Sequence, residues 1–232
     1  MQVTKTLTGP VFSFIFCTAG LFYFSISFFS LRMGPTYQKI LIITAPSGAG
    51  KTSITRYLMQ QFPQLAFSIS AATRLARANE QNGVDYYFMS EGEFQQKIKQ
   101  KEFAEWEMVY EGKYYGTLKS ELERIWLNNQ VPVLDIDVKG AIHVQNQYPI
   151  NTLSIFIEPP SVDELKKRLE SRGTETVDSL TARVNKASYE ISFKIHFDEV
   201  IVNDHLDKAC AEAVKLVGNF LEEPLQQGQK AD

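Results

Sequence analysis

Lys39 to Thr52 reads KILIITAPSGAGKT, and this stretch decides the fold. After Lys39 comes a short β-branched run without charge, the pattern of a strand buried on both faces in a parallel sheet. The segment Ala45-Pro46-Ser47-Gly48-Ala49-Gly50-Lys51-Thr52 follows it. It matches the phosphate-loop pattern G-x-x-x-x-G-K-[ST] at every fixed position but the first, where Ala45 replaces glycine. Successive backbone N–H groups must turn inward to cradle phosphate oxygens, which needs glycine at the tight positions. The helix that follows adds its positive N-terminal end. In such a loop Lys51 bridges β- and γ-phosphate oxygens and the Thr52 hydroxyl can ligate Mg²⁺. The departure at Ala45 matters only if that position requires a positive φ.

Outward from the loop, helices and strands alternate. Ser53 to Gln61 has helical spacing, and Ala66 to Ala71 is a second strand signal. A polar stretch from Thr73 to Asp85 leads to strand candidates at 86–90 and 106–110, with a short helix at 91–100 between them. VPVLDID (131–137), LSIFI (153–157) and EVIVN (199–203) read as buried strands. Helices are expected at 119–128, 140–146, 161–171, 177–192 and 206–221, and residues 222–232 form a polar tail. Strands alternating with helices predict an α/β fold with a doubly wound parallel sheet. Asp135 and Asp137 end the 131–137 strand two residues apart, so both should face one way, at the edge where such sheets bind ligands.

Composition narrows the function. The 232 residues suit one domain, or one domain with an inserted lobe, and 44% apolar residues suffice for a core. A net charge of −3 argues against a nucleic-acid partner. No acidic residue precedes Glu80, whereas Lys39, Lys51, Arg56, Arg74 and Arg77 all do, which suits an anionic ligand. Two cysteines in unrelated segments argue against a disulfide framework and fit a reducing compartment. The three histidines show no ligand spacing for zinc. Residues 1–32 differ from the rest. Val11 to Leu31 carries no charge and as a helix would span about 30 Å, enough to cross a bilayer. Three readings stay open for this extension: sequence upstream of a true start at Met33, which is preferred; a membrane anchor; or a signal segment.

Nine segments in order carry a wider resemblance: APSGAGKT (45–52), FSISAATR (67–74), GVDYYF (83–88), EFAEW (102–106), YYGT (114–117), LDIDVKGA (134–141), FIEPPS (156–161), LKKRLESRGTET (165–176) and VIVND (200–204). Over residues 39–221 the chain resembles guanylate kinase. The resemblance implies a P-loop NTPase-type domain over 33–221. It would have a core (38–66, 118–160 and 193–221), an inserted mixed α+β GMP-binding lobe (67–117) and a helical lid (161–192). It also implies transfer of phosphate from ATP, with Mg²⁺, to GMP and dGMP in the cytoplasm, membrane-tethered only if residues 11–31 are an anchor.

The site residues carry over by position and make chemical sense. Guanine offers N1–H and an exocyclic amine as donors, and a carboxylate can accept both. Glu105 stands at that position, with Ser70 and Thr117 supplying hydroxyls. Arg74, Arg77, Tyr86 and Tyr115 stand at the clamp for the GMP phosphate, where an arginine fork fits phosphate oxygens in pairs. Asp137 would contact GMP, and Asp135 would lie nearer the Mg²⁺. Arg168, Arg172 and Arg183 would close over ATP and stabilise charge on the transferring group. Asn203 would lie on the adenine side. Lys139 stands where the family usually has Gln. The resemblance implies in-line attack by a GMP phosphate oxygen without a general base, since a phosphate monoester is largely anionic near pH 7. Two rivals remain: a small-molecule kinase with another acceptor, against which Ser70, Glu105 and Thr117 argue, and a catalytically silent phosphopeptide-binding module, against which the intact Gly50-Lys51-Thr52 argues.

Overall fold

A computed structural model describes residues 38–171 and 177–224. Among these the strands are β1 (Ile40–Thr44), β2 (Leu65–Phe67), β3 (Ala71–Ala72), β4 (Tyr87–Phe88), β5 (Phe103–Tyr110), β6 (Lys113–Leu118), β7 (Val131–Asp135), β8 (Thr152–Glu158) and β9 (Glu199–Val202). The helices are α1 (Lys51–Gln61), α2 (Glu91–Lys99), α3 (Lys119–Leu127), α4 (Val138–Gln147), α5 (Val162–Glu170), α6 (Val177–Ile191) and α7 (Leu206–Glu222). The expectations for residues 11–31 and for Arg172 fall outside the described residues. Among the described residues no helix is long and apolar enough to cross a membrane.

Five strands form a parallel sheet in the order β2-β7-β1-β8-β9. Its middle strand, β1, is buried along its whole length. Side chains alternate across a strand, and β1 divides them between two cores. Leu41 and Ile43 pack on one side with Ile54 and Leu58 of α1, Leu165 of α5 and Ala213 of α7. Ile40 and Ile42 pack on the other with Leu122 of α3 and Ala141 and Val144 of α4. Helices therefore cover both faces, the doubly wound arrangement the sequence predicts.

A second sheet of four strands runs β4-β3-β6-β5. β3 pairs parallel with β4, and β6 pairs antiparallel with both β3 and β5. Its core stacks Phe94 of α2 on Phe103, ring centroids 4.3 Å apart. One expectation is corrected here. The single strand expected over 66–71 divides between the sheets, β2 in the first and β3 in the second. The chain leaves the first ladder at Ser68, and the Ile69 N–H donates to the Glu121 carboxylate instead, at 3.0 Å. Glu121 is buried and also accepts from the Tyr87 hydroxyl (2.9 Å) and the Arg124 guanidinium (2.8 Å), so one side chain joins α3, the crossover and β4. Residues 113–118 carry no strand signal of their own and become β6 because β3 and β5 both pair with them.

Helix starts follow their caps. Ser90 and Glu93 exchange hydrogen bonds at the start of α2 in a reciprocal capping box, and Ser161 caps α5. At the other end of the fold the buried Lys39 donates to the carbonyls of Leu221 (3.2 Å) and Glu223 (2.6 Å), closing the last turn of α7 against β1.

Candidate active site

The phosphate loop joins β1 to α1 as its pattern requires. Gly48 and Gly50 have φ of 94° and 99°, a region side chains disfavour. At Gly50 a Cβ would also meet Asn203 Nδ2 at 2.1 Å. Among the described residues only Lys101 and Asn129 combine a side chain with positive φ. Ala45 is therefore not in the left-handed region, and the loop turns without glycine there. Lys51 and Thr52 fall in the first turn of α1, two residues earlier than the spacing predicts.

A cleft of about 450 Å³ opens over this loop. The loop residues Ser47, Lys51 and Thr52 border it on one side, Asp135 on another, and Arg183, Lys186 and Glu190 of α6 on the third. Lys51 ion-pairs Asp135 at the end of β7. Arg183 Nη1 donates to Ser47 Oγ at 2.8 Å, linking α6 to the loop. Asn203 lies beneath: buried after β9, its Nδ2 donates to the Ala49 carbonyl at 2.7 Å and supports the loop from behind. Arg168 turns away from the cleft toward the same segment, with Nη1 3.0 Å from the Asn203 carbonyl and Nε 3.4 Å from Glu164.

A second cleft of about 390 Å³ adjoins the first, with Lys51, Asp135, Ile136, Asp137 and Lys186 common to both. Its own lining includes Ser70, Tyr86, Glu105 and Tyr115. Glu105 is 6% exposed. The Thr117 hydroxyl, behind it, donates to Oε1 at 2.6 Å. The other oxygen faces Gly140, where a Cβ would come within 2.7 Å of Oε2. Burial pushes the Glu105 carboxyl up to about 7, with the charge of Asp137 adding to it and the Thr117 bond opposing it. A carboxylate held this way presents acceptor oxygens in a dry recess, which suits a partner offering two adjacent N–H donors.

Asp137 departs from its expected placement. β7 ends at Asp135, and Asp137 is the N-cap of α4, accepting from the N–H of Lys139 (3.0 Å) and Gly140 (2.9 Å). A short polar side chain just before a helix pairs best with its free N–H groups, which pulls Asp137 off the strand. Both carboxylates still border both clefts.

Above the second cleft, Arg74 forms a two-pronged bond with Glu80, at 2.5 and 2.7 Å. Its guanidinium carbon lies 4.8 Å from the Tyr86 ring centroid, a cation–π distance. Tyr86 meets Tyr115 edge-on at 6.2 Å. Hydrogen bonds from Arg74, and then from the Arg77 backbone, hold the Glu80 carboxyl down at about 2. The Arg77 N–H donates to Glu80 Oε2 at 2.9 Å, and its side chain is exposed. Arg74 thus lies beside Tyr86, and neither Arg74 nor Arg77 belongs to the wall of the second cleft. Sequence reading missed Glu80, Lys186 and Glu190. For the last two the signal was present: Arg183, Lys186 and Glu190 are three and four residues apart, one helical face.

Comparison with known proteins gives the family. The family model for guanylate kinase matches residues 37–219. The guanylate kinase of Bacteroides fragilis is 47% identical over 183 residues, which are 79% of this chain and 90% of that protein. That of Bacteroides thetaiotaomicron is 43% identical over 198 residues, 85% of this chain and 97% of that one. The crystal structure of guanylate kinase from Anaplasma phagocytophilum is similar at a TM-score of 0.64 and 28% identity, covering 81% of this chain and 88% of that one.

Proposed function

The chain belongs to the guanylate kinase family and so transfers phosphate from ATP to GMP, and on that premise we propose how its residues divide the work. One observation carries the reading. Two clefts, one floored by a phosphate loop and the other by a buried carboxylate, meet along a wall that contains Lys51. The loop cleft takes ATP: the backbone N–H groups from Ser47 to Lys51 cradle its phosphates, and Lys51 neutralises the β- and γ-oxygens. The second cleft takes GMP. Glu105 accepts from guanine N1–H and the amine, with Ser70 and Thr117 beside it. Arg74, Arg77, Tyr86 and Tyr115 hold the phosphate, and Asp137 borders the acceptor. dGMP, with the same base and phosphate, is a second acceptor.

Mg²⁺ fits the donors at hand. Thr52 Oγ1 and the Asp135 carboxylate are hard oxygen donors on the loop cleft, few enough for an ion completed by phosphate oxygens and water. When bound, the ion screens the charge of the phosphates. The protein positions the reactants so that a GMP phosphate oxygen attacks the γ-phosphorus in line with the departing ADP oxygen. Arg183 lies where charge on that group can be met; Arg168 and Arg172 belong to the same α5–α6 region, which we assign as the lid. Movement of the lid and of the second sheet over the clefts would exclude water and so suppress ATP hydrolysis. We place the reaction in the cytoplasm, where both substrates reside.

The test is ADP formation by residues 33–232 with Mg·ATP and each of GMP, AMP, UMP and dTMP, beside Lys51→Ala. Turnover is expected with GMP alone and is lost in the variant. Turnover with no acceptor by a folded protein, or equal turnover with AMP, overturns the reading.

A further inference from the structure

Helix α6 lays charges along both clefts. Leu180, Val184 and Ala187 pack one stripe of it on the core. The neighbouring stripe, Arg183, Lys186 and Glu190, borders the loop cleft. At a rise of about 1.5 Å per residue, Lys186 lies about 4.5 Å beyond Arg183 along the axis. The order along the helix follows the order of the clefts. Arg183 touches the phosphate loop through Ser47 and lines the loop cleft but not the second. Lys186 lines both, at the seam that holds Lys51, Asp135 and Asp137.

Resting on the assignment of these clefts to ATP and GMP, we propose that Lys186 is a further catalytic residue whose ammonium contacts the phosphoryl group as it crosses the seam. In that step a bond forms between a GMP phosphate oxygen and the γ-phosphorus. The bond from phosphorus to the β–γ bridging oxygen breaks, and its electron pair leaves with ADP. Lys186 keeps its proton throughout and supplies charge alone. The seam needs it: Asp135, Asp137 and Glu190 are three carboxylates around the path of an anionic group. Without Lys186, Lys51 and Arg183 would face them alone among the lining side chains of the loop cleft.

Glu190 is the positioning residue. It is 7% exposed, one turn on from Lys186, with the two charged groups 3.6 Å apart. The Lys186 side chain is 58% exposed. The lysine end of the pair is open to solvent and the carboxylate end is buried, so thermal unfolding of each variant accompanies the kinetics to separate a folding loss from a catalytic one. A buried carboxylate at the edge of the cleft can restrict where a flexible lysine rests.

The test is steady-state kinetics of the full chain as wild type, Lys186→Met and Lys186→Arg, together with binding of adenosine and guanosine joined by five phosphates, a probe that spans both clefts. Lys186→Met is expected to lower kcat about 10- to 100-fold, at or below the usual loss for one transition-state donor, with each KM within about threefold. Lys186→Arg recovers most of kcat. The spanning probe loses affinity for Lys186→Met while GMP alone does not. A kcat within twofold of wild type overturns the proposal, and so does an unchanged kcat with both KM values raised, which would mean general attraction of anions. Wild type assayed alongside separates the two failures: a chain inert toward GMP overturns the cleft assignment itself, and Lys186's role with it.

Discussion

Replacing Glu105 by Gln should stabilise the nucleotide-free protein at alkaline pH while damaging it as an enzyme. The Glu105 carboxyl has its ordinary value of 4.5 in the unfolded chain and about 7 in the fold, mainly because burial disfavours its charge. Between these values the folded chain holds a proton that the unfolded chain has lost. The stability associated with this proton is fully present below pH 4.5 and disappears as pH rises through 7. At 1.36 kcal/mol per pH unit the loss amounts to about 3 kcal/mol. Gln keeps the shape and the Thr117 bond but has no proton to lose. Urea unfolding followed by tryptophan fluorescence, at pH 4.5 and pH 8 without nucleotide, should therefore give nearly equal stabilities at the lower pH. At the higher pH the variant should lead by up to about 3 kcal/mol. GMP needs the ionised carboxylate, so wild-type KM for GMP should rise as pH falls below 7. The acceptor's own phosphate ionises in the same range, and Glu105→Gln, with weaker GMP binding, supplies that background. A stability difference independent of pH would refute the account of Glu105 as a charge held in a dry recess.

Two further substitutions test the surroundings. Gly140→Ala puts a Cβ where Glu105 Oε2 lies 2.7 Å away; KM for GMP should rise about tenfold or more, a cost of about 1.4 kcal/mol, with KM for ATP unchanged. A GMP KM within twofold of wild type would show that the carboxylate can move without loss. Asn203→Ala removes the donor to the buried Ala49 carbonyl; denaturant unfolding should show a loss of about 1–3 kcal/mol and ATP, not GMP, should bind more weakly. An unchanged unfolding midpoint would mean that the loop does not lean on Asn203.

What was legible in the sequence was local. The strand, loop and helix from residue 40 to 61 are fixed by neighbouring residues, so pattern and chemistry coincide, and the alternation of strands and helices leads to the doubly wound sheet. Contacts between distant residues were not legible. Gly140 matters because it lets Glu105 approach, and nothing in either segment alone records that. Asp137 looked like the last residue of a strand because the VPVLDID alternation continues through it; competition from the free N–H groups of α4 redirected it. Arg74 carried a signal for binding phosphate, whereas its bond to Glu80 depends on how the loop between them folds. Lys186 and Glu190 lay on a readable helical face, but which cleft that face borders is a matter of tertiary packing.

The bond from Asn203 to the Ala49 carbonyl spans 154 positions of the chain. A ribosome releases residues 45–52 early and Asn203 late, so the nascent chain holds the sequence for binding phosphate long before it holds the support that shapes it. Loop closure over such a separation is slow compared with forming α1 or the β5–β6 hairpin. Competence to bind ATP should thus wait until β9 has docked, and a chain cut before Asn203 should lack a finished nucleotide cradle.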